Sequence, residues 1–307
     1  MKVAVTGISG LLGKALLPLL ESDPEVESIV GIDVAPPPNS PKLSIVRSDV
    51  RSPAIKEALQ GCDALIHLAF IVMPIQSEGE TDSINVFGTK NVLRAAAELG
   101  IEKVVYTSSV AAYGAWPDNP PLIKEDFYIR PMPSFYYART KATVENWLDS
   151  FEREHPDISI TRLRPCICLG PNLRNLMGEI VTGKAVITFK GICTAMQFVW
   201  DEDVASAIML ALNKQVRGAF NLAGEGQMTL DDLAQEMGKK TMVLRYGFAL
   251  AATRWMWKMG IVKQLHPGWL EIVRYPAIMD TTKAREQLGW KPRLDTREAF
   301  RAFIRSM

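Results

Sequence analysis

Short runs rich in Val and Ile alternate with helix-length amphipathic segments through the first half of the chain, and that alternation admits few folds. The runs are Lys2–Thr6, Ser28–Asp33, Leu43–Arg47, Ala64–Leu68, Lys103–Ser108 and Ile158–Leu163. Strands that each return through a helix must lie parallel, with crossovers covering the sheet. The spacing predicts helices over Leu11–Glu21, Pro53–Gln60, Thr81–Leu99 and Ser134–Glu154, the last starting after Pro133 and stopping before Pro156. Pro36–Pro38 reads as a loop leaving a strand. Beyond Pro165 the rhythm loosens. Apolar pieces at Val186–Phe189 and Phe220–Leu222, with helices at Glu202–Leu212, Leu230–Met237 and Thr296–Ile304, predict a smaller second lobe mixed with returns to the first. The expected division is a nucleotide-binding domain over 1–165, with returns near 198–222 and 277–290, and a lobe made mainly of 166–307.

Composition narrows the function classes. With 48% hydrophobic and 22% charged residues in 307, the chain is expected to be globular and soluble. Its net charge of +1 supplies no global field for nucleic acid or an anionic membrane surface. Cys62, Cys166, Cys168 and Cys193 are too few for a disulfide scaffold and show no zinc-ligand spacing, so reduced thiols, no metal and a cytoplasmic location are expected. No signal peptide is visible at the start. Phe248–Leu265 is apolar, but Arg254, Lys258 and Lys263 interrupt it. A packed helix near the substrate pocket is therefore expected, ahead of a partner or membrane-surface contact, and a membrane span is not.

Thr6-Gly7-Ile8-Ser9-Gly10-Leu11-Leu12-Gly13 sits between the first strand and the first helix. Gly7, Gly10 and Gly13 let backbone N–H groups and a helix N-terminus approach a pyrophosphate without Cβ obstruction. Asp33 closes the second strand 33 − 13 = 20 residues after the last glycine, where a carboxylate accepts hydrogen bonds from ribose hydroxyls. No arginine follows it at Val34 or Ala35, so NAD is expected over NADP. Asp49 is placed to reach an adenine amino group. Further cofactor contacts are expected from Leu11, Leu12, Val50, Leu68 and Ala69.

Tyr137 and Lys141 stand four positions apart, about 40° apart on one helix face, so both side chains address one ligand. Tyr136 points about 140° from Lys141. An ammonium beside a phenol favours phenolate, so Lys141 is expected to tune Tyr137 for proton transfer. The run Val104–Gly114 carries hydroxyls at the carboxyl end of a predicted strand, where parallel sheets form their ligand crevice. Ser109 is placed to hold a carbonyl or alkoxide oxygen, the alternative being a serine that caps the following turn. Ser108 is expected to face the sheet interior or the cofactor.

These motifs, together with HLAF at His67–Phe70, NVFGTKNVLRAA at Asn85–Ala96, LRPCICLGP at Leu163–Pro171 and DTTKAREQLGWKP at Asp280–Pro292, resemble the extended short-chain dehydrogenase/reductases, the NAD-dependent epimerase/dehydratase group. The resemblance implies a doubly wound parallel Rossmann sheet with a small C-terminal substrate lobe. It also implies catalysis by Ser109, Tyr137 and Lys141, adenosine contacts from Asp33 and Asp49, and often a homodimer through the helices holding Asn85–Ala96 and Tyr137–Glu154. Ile167 stands where nucleotide-sugar members usually carry Asn, and Met196 where they usually carry Arg, so a sugar diphosphate is not the expected substrate. Candidate substrate contacts are Phe70, Met73, Ser109, Met132 and Met196, with Trp116 and Phe135 as further apolar candidates. The favoured expectation is an NAD-dependent dehydrogenase or reductase of a secondary alcohol or ketone. The alternatives are a nucleotide-sugar epimerase or dehydratase and a silent NAD-binding sensor.

Overall fold

In the computed structural model β1 (Lys2–Thr6) leads through α1 (Leu11–Ser22) to β2 (Ser28–Asp33) and β3 (Leu43–Arg47), and α2 (Ile55–Ala58) precedes β4 (Ala64–His67). Then come α3 (Glu78–Asp82), a π-helical stretch (Ser83–Gly88), α4 (Thr89–Glu98), β5 (Lys103–Thr107), α5 (Tyr136–Glu154) and β6 (Ser159–Pro165). The remainder runs β7 (Ile167–Leu169), α6 (Leu176–Thr182), β8 (Ala185–Phe189), β9 (Phe198–Trp200), α7 (Asp201–Asn213) and β10 (Gly218–Leu222), followed by α8 (Leu230–Glu236), β11 (Lys240–Leu244), α9 (Tyr246–Lys258), α10 (Gly268–Glu271) and α11 (Thr296–Ser306). The structure describes residues 1–36, 39–72, 78–171, 173, 176–214, 216–262 and 265–307.

Seven strands form one sheet in the order β10-β6-β5-β4-β1-β2-β3, every pair parallel. The order reverses direction between β1 and β4, which opens a crevice at their carboxyl ends. Successive side chains of β1 show why the strands are apolar throughout: Val3 and Val5 enter the core under α1 and α7, and Ala4 enters the core under α4 and α5. The C-terminal lobe has its own core around Leu169, Phe198, Met228, Phe300 and Phe303.

Several boundaries differ from the sequence expectation. The helix expected over Thr81–Leu99 is interrupted by the π-helical turn, and Gly88 there packs so close to the sheet side that a Cβ would lie 2.4 Å from Val50 Cγ2. The Pro53–Gln60 segment makes one α-helical turn, Ile55–Ala58. Beyond Pro165 the short pairs β7–β9 and β8–β11 were not all legible, because strands of three to five residues carry little periodicity. Two helices of the lobe start at capping boxes, Thr229 with Asp232 and Asp295 with Glu298. Among the described residues, no helix is long and apolar enough to cross a membrane.

Candidate active site

The glycine turn is shaped by close approach. Gly7 adopts φ +76°, and a Cβ there would come within 2.6 Å of the Ala69 amide nitrogen, while one on Gly13 would come within 2.3 Å of the Ile8 carbonyl oxygen. Leu68 N–H donates to Thr6 O and Ala69 N–H to Thr6 Oγ1, so the ends of β1 and β4 are held together. At Gly10 the N-terminus of α1 receives no side-chain cap and its first turn holds no acidic residue. Leu11, Leu12 and Gly13 form that first turn, whose N–H groups are orphan donors.

Asp33 faces this turn: its carboxylate accepts from Ser9 N–H at 3.0 Å and Ala35 N–H at 3.0 Å. Arginine is nonetheless near. Arg47 is the register partner of Asp33 on β3, and its Nε donates to Val34 O at 3.1 Å. Reading only the residues after Asp33 missed it, because it arrives across the sheet. Asp49 is ion-paired with Arg51 at 2.7 Å, and that hydrogen bond holds its carboxyl below the usual range. Val50 is buried against Gly88.

Ser109, Tyr137 and Lys141 come together at the carboxyl end of β5. Ser109 Oγ accepts from Ala111 N–H at 3.1 Å, so it caps the following turn, and its hydroxyl also lies at the Tyr137 phenol. Burial pushes that phenol up to about 12, against a lowering by the Ser109 hydrogen bond. The Lys141 ammonium is engaged by other groups. Its Nζ donates to Thr107 O at 2.7 Å and lies 3.4 Å from the centre of the Phe70 ring, while the Tyr137 ring centre is 5.9 Å away. Burial holds the ammonium well below its ordinary range, opposed by Glu145 one turn further along α5. Glu145 is itself fixed by Arg164 at 2.7 and 2.9 Å and by Arg162 at 3.2 Å. Tyr136 is buried on the other face, its hydroxyl donating to Val72 O.

The candidate substrate residues divide. Phe70 meets the Tyr137 ring edge-on at 5.8 Å, and the Phe135 ring lies tilted, also 5.8 Å from it. Met132 packs with Phe135 and Tyr137. Met196 is elsewhere: it pairs through its backbone with Met228 and joins the apolar core of the lobe, as does Ile167. Trp116 is tied to Arg130 O through its indole N–H and covered by the Arg130 guanidinium. Met73 lies outside the described residues.

Three contributors were not read from the sequence. Trp269 lies nearly parallel to the Tyr137 ring, 6.3 Å between centres and 21° between planes, and its indole nitrogen is buried with no partner among the described residues. Asn85 clamps the chain after Phe70 by exchanging two hydrogen bonds with Ile71. His67 spans Thr6 and Thr89 at 2.7 and 2.9 Å, and burial lowers it to about 3, so it is a neutral strut beneath Lys141. The amide of Asn85 and the ring of His67 lie in motifs quoted above, but only packing reveals what they hold.

The profile of the NAD dependent epimerase/dehydratase family matches residues 3–223. The chain belongs to that family. Its residues fit the dinucleotide: α1 begins uncapped beside glycines that leave no room for a Cβ, and Asp33 stands at the turn with two ordered oxygens. An uncharacterized protein of Mycobacterium tuberculosis is 25% identical over 313 residues, covering 99% of this chain and 83% of the relative. A 3 beta-hydroxysteroid dehydrogenase/Delta 5-->4-isomerase of vaccinia virus (strain Copenhagen) is 32% identical over 151 residues, 46% of this chain and 44% of that protein. Among solved structures, MoeE5 in complex with UDP-glucuronic acid and NAD superposes with a TM-score of 0.80 at 23% identity, over 100% of this chain and 98% of that one. This likeness establishes the fold.

Proposed function

We propose that the protein interconverts a secondary alcohol and a ketone, with Tyr137 as the proton-transfer group, Ser109 as the hydrogen-bond donor to the reacting oxygen and Lys141 as the cation behind them. NAD, when bound, takes or returns the hydride. The carrying observation is the Tyr137 phenol with Ser109 beside it, walled by the rings of Phe70, Phe135 and Trp269. Burial raises the phenol, which is therefore protonated at neutral pH, the state that gives a proton to a carbonyl oxygen. The aromatic walls favour a substrate with an apolar ring. Ile167 and Met196, the two departures from the nucleotide-sugar pattern, lie in an apolar core and offer nothing to a diphosphate. The vaccinia relative carries a steroid name, in keeping with this substrate class.

The second reading, a nucleotide-sugar epimerase or dehydratase, is favoured by the whole-chain likeness to MoeE5 with its UDP-glucuronic acid. One experiment separates them. Purified protein is assayed with NAD or NADH against alicyclic secondary alcohols and ketones and against UDP- and dTDP-sugars, with mass spectrometry of ligands released on denaturation. Saturable turnover of the cyclic alcohols alone supports the first reading, and micromolar turnover of a sugar nucleotide establishes the second. The proposal includes a cytosolic homodimer through α4 and α5, which sedimentation velocity tests.

A further inference from the structure

The net charge of +1 conceals a local concentration. Between Met237 and Leu270 the chain carries Lys239, Lys240, Arg245, Arg254, Lys258 and Lys263 and no acidic residue at all. This is the stretch that contains α9. At about 100° per residue, Phe248, Trp255 and Met259 fall within about 20° of one line along the helix, with Lys258 and Arg254 on one flank. That line faces outward: Phe248 is 70% exposed, Trp255 60%, Met259 62% and Ile261, just beyond the helix, 60%. Arg245 and Lys258 are exposed as well. Arg254 spends one guanidinium nitrogen on Glu271 and remains 56% exposed. The opposite face holds the lobe to the active site. Ala249 and Thr253 are buried, and Trp257 meets His266 edge-on at 4.9 Å, which in turn packs against Tyr136 and Phe135. An exposed aromatic and aliphatic stripe bordered by Arg245, Arg254 and Lys258, with the mostly buried Glu271 pairing Arg254, matches a surface that is apolar within and anionic at its rim.

We infer that α9 docks this protein onto the surface of a bilayer containing anionic phospholipid, with Phe248, Trp255, Met259 and Ile261 entering the interface and Arg245, Arg254 and Lys258 meeting the headgroups. The helix lies in the plane of the membrane without crossing it, since it has 13 residues. Docking would put the lipid on the side of α9 away from Trp257, which packs through His266 on Tyr136 and Phe135. The inference is independent of which substrate the site takes.

The test is co-sedimentation of the full chain with vesicles of phosphatidylcholine alone and of phosphatidylcholine with roughly one-third phosphatidylglycerol, at low and high salt. Binding to the anionic vesicles only, reversed by salt, is expected. Arg254→Glu with Lys258→Glu should lower the partition coefficient at least about tenfold, and Phe248→Ser with Trp255→Ser should do the same. Thermal midpoints and their upward shift with NAD serve as the folding control. In the unaltered protein, brominated phosphatidylglycerol should quench part of the tryptophan emission, and Trp255→Phe should remove that part. Absence of binding to anionic vesicles at low salt overturns the inference, as does binding that ignores both pairs of substitutions. If instead the Phe248/Trp255 variant converts a dimer to a monomer in sedimentation velocity while the unaltered protein ignores vesicles, the face belongs to a second copy and the inference fails.

Discussion

The Lys141 ammonium lies 3.4 Å from the centre of the Phe70 ring, so the lysine of the catalytic helix is covered by the residue that ends the HLAF run. A desolvated cation over an aromatic face is worth about 2 kcal/mol. Phe70→Leu keeps apolar volume and removes the π face, and should lower unfolding free energy by about 1–2 kcal/mol in urea titrations. Combined with Lys141→Met in a double-mutant cycle, it should show a coupling of about 1–2 kcal/mol. Strict additivity of the two changes would remove the cation–π account.

Tyr137→Phe deletes the proton-transfer group while its ring still packs against Phe135 and Trp269. Turnover should fall by about 10²-fold or more with NAD affinity little changed. Ser109→Ala should cost roughly 10²-fold in turnover. Retention of full activity by Tyr137→Phe would refute the assigned role.

Tyr136→Phe should leave catalysis nearly intact, as its direction on the helix away from Lys141 predicts, while costing a hydrogen bond. Its buried hydroxyl donates to Val72 O, two residues past Phe70, and losing it leaves that carbonyl without its donor. A stability loss of about 1 kcal/mol is expected, with turnover within a few-fold of the unaltered enzyme. Thermal denaturation followed by steady-state rates reads both quantities.

Asp33 should make NAD bind at least about tenfold more tightly than NADP, equivalent to about 1.4 kcal/mol. Because Arg47 sits in register with it, Asp33→Ser should erase or invert that preference, leaving a guanidinium to meet the 2′-phosphate. Titration of both dinucleotides into both proteins decides the matter, and an unaltered NAD preference in the variant would show that Asp33 is not the discriminator.

Burial moves the Asp201 carboxyl from 3.8 to about 6, opposed by the hydrogen bond it accepts from Glu202 N–H. The folded state then holds this proton more tightly than the unfolded chain. The stabilisation is full below 3.8 and is lost as pH rises through 6. Asp201→Asn keeps the acceptor and removes the charge, so from about pH 4 to pH 8 the variant should gain about 2–3 kcal/mol relative to the unaltered protein. Urea titrations across that range measure the gap, and parallel pH curves for the two proteins would contradict the burial argument.

The parallel sheet, the glycine turn and the Tyr137–Lys141 pairing were legible because each depends on spacing within one element or between neighbours in the chain. Alternating apolar runs dictate strands and crossovers, and a four-residue interval dictates a shared helix face. Asp33 was readable for the same reason, as the end of a strand at a set distance from the glycines. What lay beyond that reach was every contact carried by sheet order or by the lobe. Arg47 lies in register with Asp33 across a strand pair, Phe70 covers Lys141 from 71 residues away in sequence, and Trp269 stacks on Tyr137 from the far end of the chain. The expected lowering of Tyr137 by Lys141 meets an opposing effect on the same ground, since burial pushes the phenol up. Helix periodicity places two side chains on one face, but Thr107 O and the Phe70 ring, both brought in by other strands, decide where the ammonium points and how much water reaches it. Local spacing sets which groups are neighbours, and the protonation state of each follows from burial, which exists only once distant segments have packed.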